Sequence, residues 1–200
     1  ILGLSIAIGV VFLRIMLRRG IETPEQLEEI GINVYASVPV AESLVSNERS
    51  IKNIRKKITH KEYTGLLATT NPADLAIEAI RGLRTSLHFA MIEARNNILM
   101  ISGASPNAGK TFISSNLAAV VAQTGKKVLF IDTDMRKGYV HKVFDVENDN
   151  GLSNYLSGKL GLEATLKKIP EAGFDFISRG VVPPNPTELL MHRKIGRAHV

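Results

Sequence analysis

The sequence predicts an α/β domain, a parallel sheet flanked by helices, preceded by the end of a membrane-crossing helix. Three observations predict it. Residues 97–132 run strand, loop, helix, strand, the βαβ order that places strands parallel with a helix between them. The loop after the first strand is a glycine-bearing AxxxxGKT, and the chain opens with an uncharged apolar run closed by arginines. Composition sets the bounds: 200 residues, 44% hydrophobic and 22% charged, suit one ordinary domain plus an appendage and exclude a disordered or fibrous chain. With no cysteine, disulfide scaffolds, thiol nucleophiles and cysteine-based zinc sites are excluded. The net charge of +6 suits nucleic acid or anionic lipid, and its distribution decides between them.

Ile1–Leu13 is uncharged, with Arg14, Arg18 and Arg19 behind it. This run spans about 20 Å against the roughly 30 Å of a bilayer core. A secretory signal carries its basic residues before the apolar stretch, whereas the order here is that of the cytoplasmic end of a transmembrane helix. Residues 1–19 are therefore read as the C-terminal part of such a helix, continuing upstream; a buried core helix is the alternative.

Residues 20–70 are read as a juxtamembrane segment and basic linker. Thr23 and Pro24 form a helix start, and Ile32–Val40 is a strand-like run ended by Pro39. From Glu42 to His60 the chain is polar, with Arg49, Lys52, Arg55, Lys56, Lys57 and Lys61 crowded together. That pattern suits a solvated linker or contact with anionic lipid headgroups. With no aromatic interleaved beyond Tyr63, it does not suit base stacking, and no nucleic-acid partner is expected.

Residues 71–191 form the domain. Ala76, Ile77, Ile80, Leu83, Leu87 and Ala90 recur at helical spacing within Ala73–Ala94, predicting a long amphipathic helix. Asn97–Ser102 predicts a buried strand, Thr111–Gln123 a helix and Lys127–Asp132 a second buried strand. Residues 192–200 show no periodicity and resemble translated adapter sequence, an atypical, artefactual tail. The chain as a whole is read as an internal fragment.

The loop Gly103–Thr111 carries the chemistry. Backbone N–H groups of Asn107 to Thr111 can curl around a β-phosphate at a helix N-terminus, where unpaired donors and the helix dipole favour negative charge. Gly109 permits close approach, Lys110 can bridge β- and γ-phosphates, and the Thr111 hydroxyl can bind Mg²⁺. Ala104, Ser105, Pro106, Asn107 and Ala108 complete the cradle. The next strand ends in Asp132-Thr133-Asp134. If that strand lies beside the loop's own strand, Asp132 and Asp134 reach the γ-phosphate, where they can hold Mg²⁺ or accept the proton of an attacking hydroxyl.

With these motifs the chain resembles the bacterial tyrosine kinases of the membrane-bound Wzc/Etk polysaccharide co-polymerase type. ASPNAGKT is similar to the family's Walker A, and VLFIDTDMR to its second, Walker A-prime motif. Glu78–Ser86 resembles its E-A-x-R-x-L-R-T-[N/S] signature. GLSNYLSG and Pro183–Leu190 (PPNPTELL) resemble two later signatures. The resemblance implies a deviant-Walker, MinD/ParA-like P-loop NTPase fold. It implies tyrosine autophosphorylation with ATP and Mg²⁺ in an inner-membrane protein whose kinase domain is cytoplasmic, and which governs capsular or exopolysaccharide polymerisation and export. Carried over, Lys110, Asp132 and Asp134 are catalytic, and Thr111, Asp132 and Asp134 hold metal. Tyr139 is a phosphorylation candidate. Glu78, Arg81 and Arg84 build a ring-like homo-oligomer, an octamer being the candidate size; an intrahelix salt bridge is the plainer reading of the same residues. Further implied partners are a cognate tyrosine phosphatase, the polysaccharide export machinery and the membrane. The family's third acidic motif and its tyrosine-rich tail find no counterpart in these 200 residues, so little catalysis is expected of this stretch alone. Two competing readings stand: a ParA/MinD-type partitioning ATPase, which usually carries a lysine near Ala104 or Ser105 and lacks a membrane helix, and a non-catalytic ATP-sensing scaffold.

Overall fold

A computed structural model describes residues 2–17, 23–41, 66–105 and 108–191. The basic linker, Pro106, Asn107, Arg18, Arg19 and the tail at 192–200 lie outside the described residues. Two compact units divide the chain, residues 1–37 and 38–200.

In the first unit, Leu2–Leu17 forms helix α1. Its 16 residues measure about 24 Å at 1.5 Å per residue, and no helix among the described residues is long and apolar enough to cross a membrane. A short helix α2, Glu25–Glu28, follows Pro24, which already holds helical angles and brings no side-chain cap; the Thr23 side chain hydrogen-bonds the Glu25 carboxylate. The run from Ile32 to Val40 pairs with nothing as a strand. Its apolar side chains Ile32, Tyr35 and Val40 stay exposed, so the alternation that suggests a strand finds no partner ladder among the described residues.

The second unit contains α3 (Leu67–Thr70), α4 (Leu75–Ala90), α5 (Lys110–Ala122), β1 (Leu129–Ile131), α6 (Val140–Val143), α7 (Leu152–Leu156), β2 (Lys167–Ile169), β3 (Phe174–Ile177) and α8 (Pro186–Leu190). Helix α4 starts where Asp74 caps it, its carboxylate accepting the Ala76 N–H. Such a cap supplies one of the orphan donors of the first turn. Its face Ala76, Ile77 and Ile80 is buried, and Ile77 and Ile80 join Leu117, Ala118, Ala119 and Val120 of α5 and Phe174 and Phe176 of β3 in one core cluster. Four phenylalanines bind sheet to helix: Phe144 meets the Phe176 ring edge-on with centroids 4.9 Å apart, and Phe130 stacks on Phe174 at 6.3 Å. A smaller cluster, Met135, Leu152, Leu156 and Ile177, fills the other side of β3.

The sheet corrects two expectations. Its order is β1-β3-β2, with β1 and β3 parallel but β2 and β3 antiparallel, so it is mixed. Residues 170–173 turn tightly between Ile169 and Phe174, with Gly173 at φ +74°, and a connection that short joins only antiparallel strands. Secondly, Asn97–Ser102 is unpaired and Ile98, Leu99, Met100 and Ile101 are all exposed. The expected buried strand lacks its neighbours, and β1 takes β3 as its partner instead.

Candidate functional site

The phosphate-loop half sits at the start of α5. Gly109 is the N-cap with φ +79°, a left-handed conformation that would cost a non-glycine about 1–3 kcal/mol. Gly109 brings no side-chain cap to the first N–H groups of α5, and uncapped donors at a helix N-terminus are what an anion seeks. Lys110 folds back along the loop: its Nζ donates to the Ser105 carbonyl at 3.2 Å. A β-carbon on Gly103 would lie 2.7 Å from the Lys110 Cγ and Cδ, so the lysine stem needs that glycine. Ala104, Ser105, Ala108 and Gly109 are exposed and Thr111 is half-buried. The Thr111 carbonyl is taken by the Ser115 hydroxyl at 2.6 Å, which locks the first turn of the helix.

The acidic half sits at the carboxyl end of β1. Asp132 is 4% exposed; its N–H donates to the Ile177 carbonyl at 3.0 Å, extending the β1–β3 ladder to the carboxylate. Asp132 Oδ1 accepts the Asp134 N–H at 3.1 Å, while Oδ2 is buried with no hydrogen-bond partner. Burial pushes this carboxyl up to about 6, Asp134 adding to the rise, while the backbone N–H groups of Asp134 and Val140 and the Arg179 guanidinium pull the other way. The Val140 N–H thus acts on the carboxylate without making a well-formed bond to Oδ2. Asp134, in contrast, is exposed, and its Oδ1 accepts the N–H groups of Lys137 at 2.9 Å and Arg136 at 3.2 Å. The i, i+2 spacing gives two carboxylates in different states, one buried and under-bonded, one solvated and holding its own turn.

The segment after them wraps Asp132. A β-carbon on Gly138 would come 2.5 Å from Asp132 Oδ2 and 2.5 Å from the Asp134 carbonyl, so only glycine lets the chain pass there. Tyr139 follows, 54% exposed, between two residues whose backbones approach the Asp132 carboxylate. Arg179, which sequence reasoning missed, leaves β3 and reaches the Met135 carbonyl at 3.4 Å and that of Arg136 at 3.5 Å; its Nε is buried and unpartnered. Its signal was present, since Arg179 stands just past the apolar strand FDFI much as Asp132 stands just past LFI.

Asp132 and Asp134 come together, and Lys110 meets Ser105, but among the described residues no hydrogen bond or ion pair joins one half to the other. No group of three or more His, Asp or Glu side chains gathers there as a metal cage among the described residues. A hard cation that relies on one or two carboxylates plus phosphate oxygens and water fits the orphaned Asp132 Oδ2 better than a metal needing a closed protein cage. On α4, Arg81 pairs with Glu78 one turn back, while Arg84, half-buried, makes no ion pair among the described residues. The GLSNYLSG and PPNPTELL segments meet around a cavity of about 380 Å³ whose lining includes Ser153, Asn154, Lys159, Pro183, Pro184 and Leu189.

Comparisons agree on what this geometry resembles. The family model of the CobQ/CobB/MinD/ParA nucleotide binding domain matches residues 99–169. The chain is 55% identical over 198 residues to tyrosine-protein kinase etk of Escherichia coli K12 and 54% identical over 196 residues to tyrosine-protein kinase wzc of Salmonella typhimurium LT2. Each alignment takes in 98% of this chain but 27% of the relative, so the chain spans about a quarter of the length of these curated relatives. Among solved structures, the kinase domain of Escherichia coli tyrosine kinase ETK superposes with a TM-score of 0.79 at 53% identity, covering 90% of this chain and 68% of that one.

Proposed function

The chain belongs to the bacterial tyrosine kinase family, and from that premise we propose that its parent protein is an ATP-dependent protein-tyrosine autokinase of the inner membrane that governs capsular or exopolysaccharide polymerisation and export. The observation that carries the reading is Asp132, a buried carboxylate with one free oxygen and a pKa raised to about 6. It leaves the strand that follows the phosphate-loop helix.

ATP supplies the phosphoryl group and Mg²⁺ neutralises its charge; the rest falls to this chain. The N–H groups of Asn107 to Thr111 and the Lys110 ammonium hold the phosphates, with Ala104, Ser105 and Pro106 completing the cradle, and Thr111, Asp132 and Asp134 would hold the metal. Asp132 and Asp134 between them take the proton from the acceptor tyrosine hydroxyl as its oxygen bonds to the γ-phosphorus and the bond to ADP breaks. A carboxylate whose pKa has moved toward neutrality is better suited to that proton than an ordinary one. Tyr139 is the acceptor nearest to hand. Glu78, Arg81 and Arg84 serve a ring of copies, and the remaining partners are the export machinery, a tyrosine phosphatase and the membrane.

The test uses the complete cytoplasmic portion of the parent protein with Mg²⁺-ATP and an anti-phosphotyrosine antibody. A signal is expected from the natural sequence and none from Lys110→Met. Phosphate release without phosphotyrosine would point to the partitioning ATPase reading, and nucleotide binding with neither to a scaffold.

A further inference from the structure

Three consecutive carbonyls just past β3 are held by one segment of chain. The Ser178 carbonyl accepts the Leu152 N–H at 2.7 Å and the Arg179 carbonyl the Ser153 N–H at 3.0 Å, while the Gly180 carbonyl accepts from Asn148 Nδ2 at 3.0 Å. The two stretches cross so closely that a β-carbon on Gly151 would lie 2.2 Å from the Gly180 nitrogen, and one on Gly180 would lie 2.5 Å from the Ser153 hydroxyl. Lys167 ties the crossing from the side, its Nζ donating to the Asp149 carbonyl at 2.6 Å and to the Ser178 hydroxyl at 2.9 Å. The residue at the centre of this clamp is Arg179.

The Arg179 guanidinium acts away from the clamp. Its Nη1 reaches the carbonyls of Met135 and Arg136, in the turn between the acidic pair and Tyr139, and its charge reaches Asp132. At 3.4 and 3.5 Å those bonds are long, too weak alone to offset the entropy of fixing an arginine side chain. Its Nε–H is a buried donor without a partner, and Asn148 Oδ1 is a buried acceptor without one, on an amide already anchored to the residue after Arg179. An unmet donor and an unmet acceptor are costly apart and satisfied together. His141 Nδ1 is a third such atom, but among the described residues no hydrogen bond ties that ring to 178–180. Resting on the kinase reading above, we propose that Asn148 is a positioning residue for the reaction. Its Nδ2 holds the Gly180 carbonyl, and its Oδ1 takes the Arg179 Nε–H directly or across one water. The guanidinium so fixed steadies the 135–136 turn, which sets Tyr139 in register with Asp132. Neither Asn148 nor Arg179 belongs to the phosphate loop, so loosening them disturbs the geometry of transfer and not the hold on nucleotide.

The test uses the complete cytoplasmic portion of the parent protein with isotope-labelled arginine, its side-chain Nε–H followed by nuclear magnetic resonance without nucleotide. Arg179 should give a slowly exchanging Nε–H resonance, assigned by its loss in Arg179→Lys. Asn148→Ala should speed that exchange at least about tenfold. Asn148→Asp keeps an acceptor in the same place while losing the donor to Gly180, and should leave the resonance protected. With Mg²⁺-ATP, phosphotyrosine formation at saturating nucleotide should slow at least about tenfold in Asn148→Ala, with the KM for ATP within about twofold, and Asn148→Asp should recover most of the rate. Fast exchange in the natural sequence, or unchanged exchange in Asn148→Ala, would overturn the proposal. So would equal losses in the Ala and Asp variants, which would assign Asn148 to the Gly180 turn alone, or protection lost only in His141→Phe, which would give the Arg179 donor to His141. The exchange readout involves no phosphotransfer, so a failed kinase assay and a misplaced Asn148 remain distinguishable.

Discussion

At the scale of single residues the acidic pair is where stability and function oppose each other. Asp132 is buried and its carboxyl rises to about 6, against about 3.9 in an unfolded chain. The folded protein therefore binds more protons than the unfolded one between about pH 4 and 6, and this group's contribution to stability declines as pH rises through that window and stays low above it. Asp132→Asn removes the charge but keeps the shape, and should stabilise the domain at pH 7.5 by about 1–2 kcal/mol, or several degrees of melting temperature. At pH 4.5, where the unfolded carboxyl is still mostly ionised, the gain should fall to about a third of that, while phosphotyrosine formation should be lost at every pH. Thermal unfolding of both proteins at the two pH values checks it; an equal gain at both would mean that the substitution acts through packing. The sequence pointed to both carboxylates by their place after an apolar strand. It could not tell the buried one from the solvated one, because that depends on Gly138 and Val140 folding back over Asp132, a contact made by backbone atoms.

At the scale of elements, what was legible followed local rules. Helices α4 and α5 were readable because their apolar residues recur at helical spacing and because Asp74 and Gly109 mark their starts; the 13 residues of α5, Lys110–Ala122, differ by one position at each end from the periodic segment. The β2–β3 hairpin was not anticipated, though the alternation in Phe174–Ile177 and a glycine-ended turn before it were available. Asn97–Ser102 and Ile32–Val40 show the opposite limit, since apolar composition states what a segment needs and not whether a neighbour is present to meet the need. A contact no motif announces joins α3 to the phosphate-loop helix. Asn116, 2% exposed, accepts the Ala68 N–H on Oδ1 at 2.8 Å and donates from Nδ2 to the Phe112 carbonyl at 2.8 Å, while Gln123 donates to the Ala68 carbonyl at 3.3 Å. Both polar backbone groups of a buried alanine are thus supplied by side chains of α5 and of its C-cap Gln123. Asn116→Leu strands the Ala68 N–H in an apolar core and should cost about 1–3 kcal/mol, read as a lower urea midpoint with unchanged slope. A shift of a few tenths would show that Ala68 finds water instead.

At the scale of the whole molecule the open question is assembly, and α4 is the element that can answer it. The Glu78–Arg81 pair is the plain intrahelix reading, and a surface pair at that spacing contributes only about 0.2–0.5 kcal/mol. Arg84, one turn further on, has no acidic partner among the described residues, which leaves its charge available to another surface. Replacing Arg81 and Arg84 by alanine should therefore leave the fold of one copy nearly untouched, since alanine favours the helix and neither arginine reaches the core. The same change should move the cytoplasmic portion of the parent protein from a large species toward monomer in sedimentation velocity. If the lost contacts are between arginine and a neighbouring copy's carboxylates at an exposed rim, the natural protein should show the same drift as salt is raised from about 0.05 to 0.5 M, because exposed charges are screened over such a range. An unchanged mass in the double variant, with an unchanged melting temperature, would assign both arginines to the surface of a single copy. A falling melting temperature with unchanged mass would assign them to the helix itself.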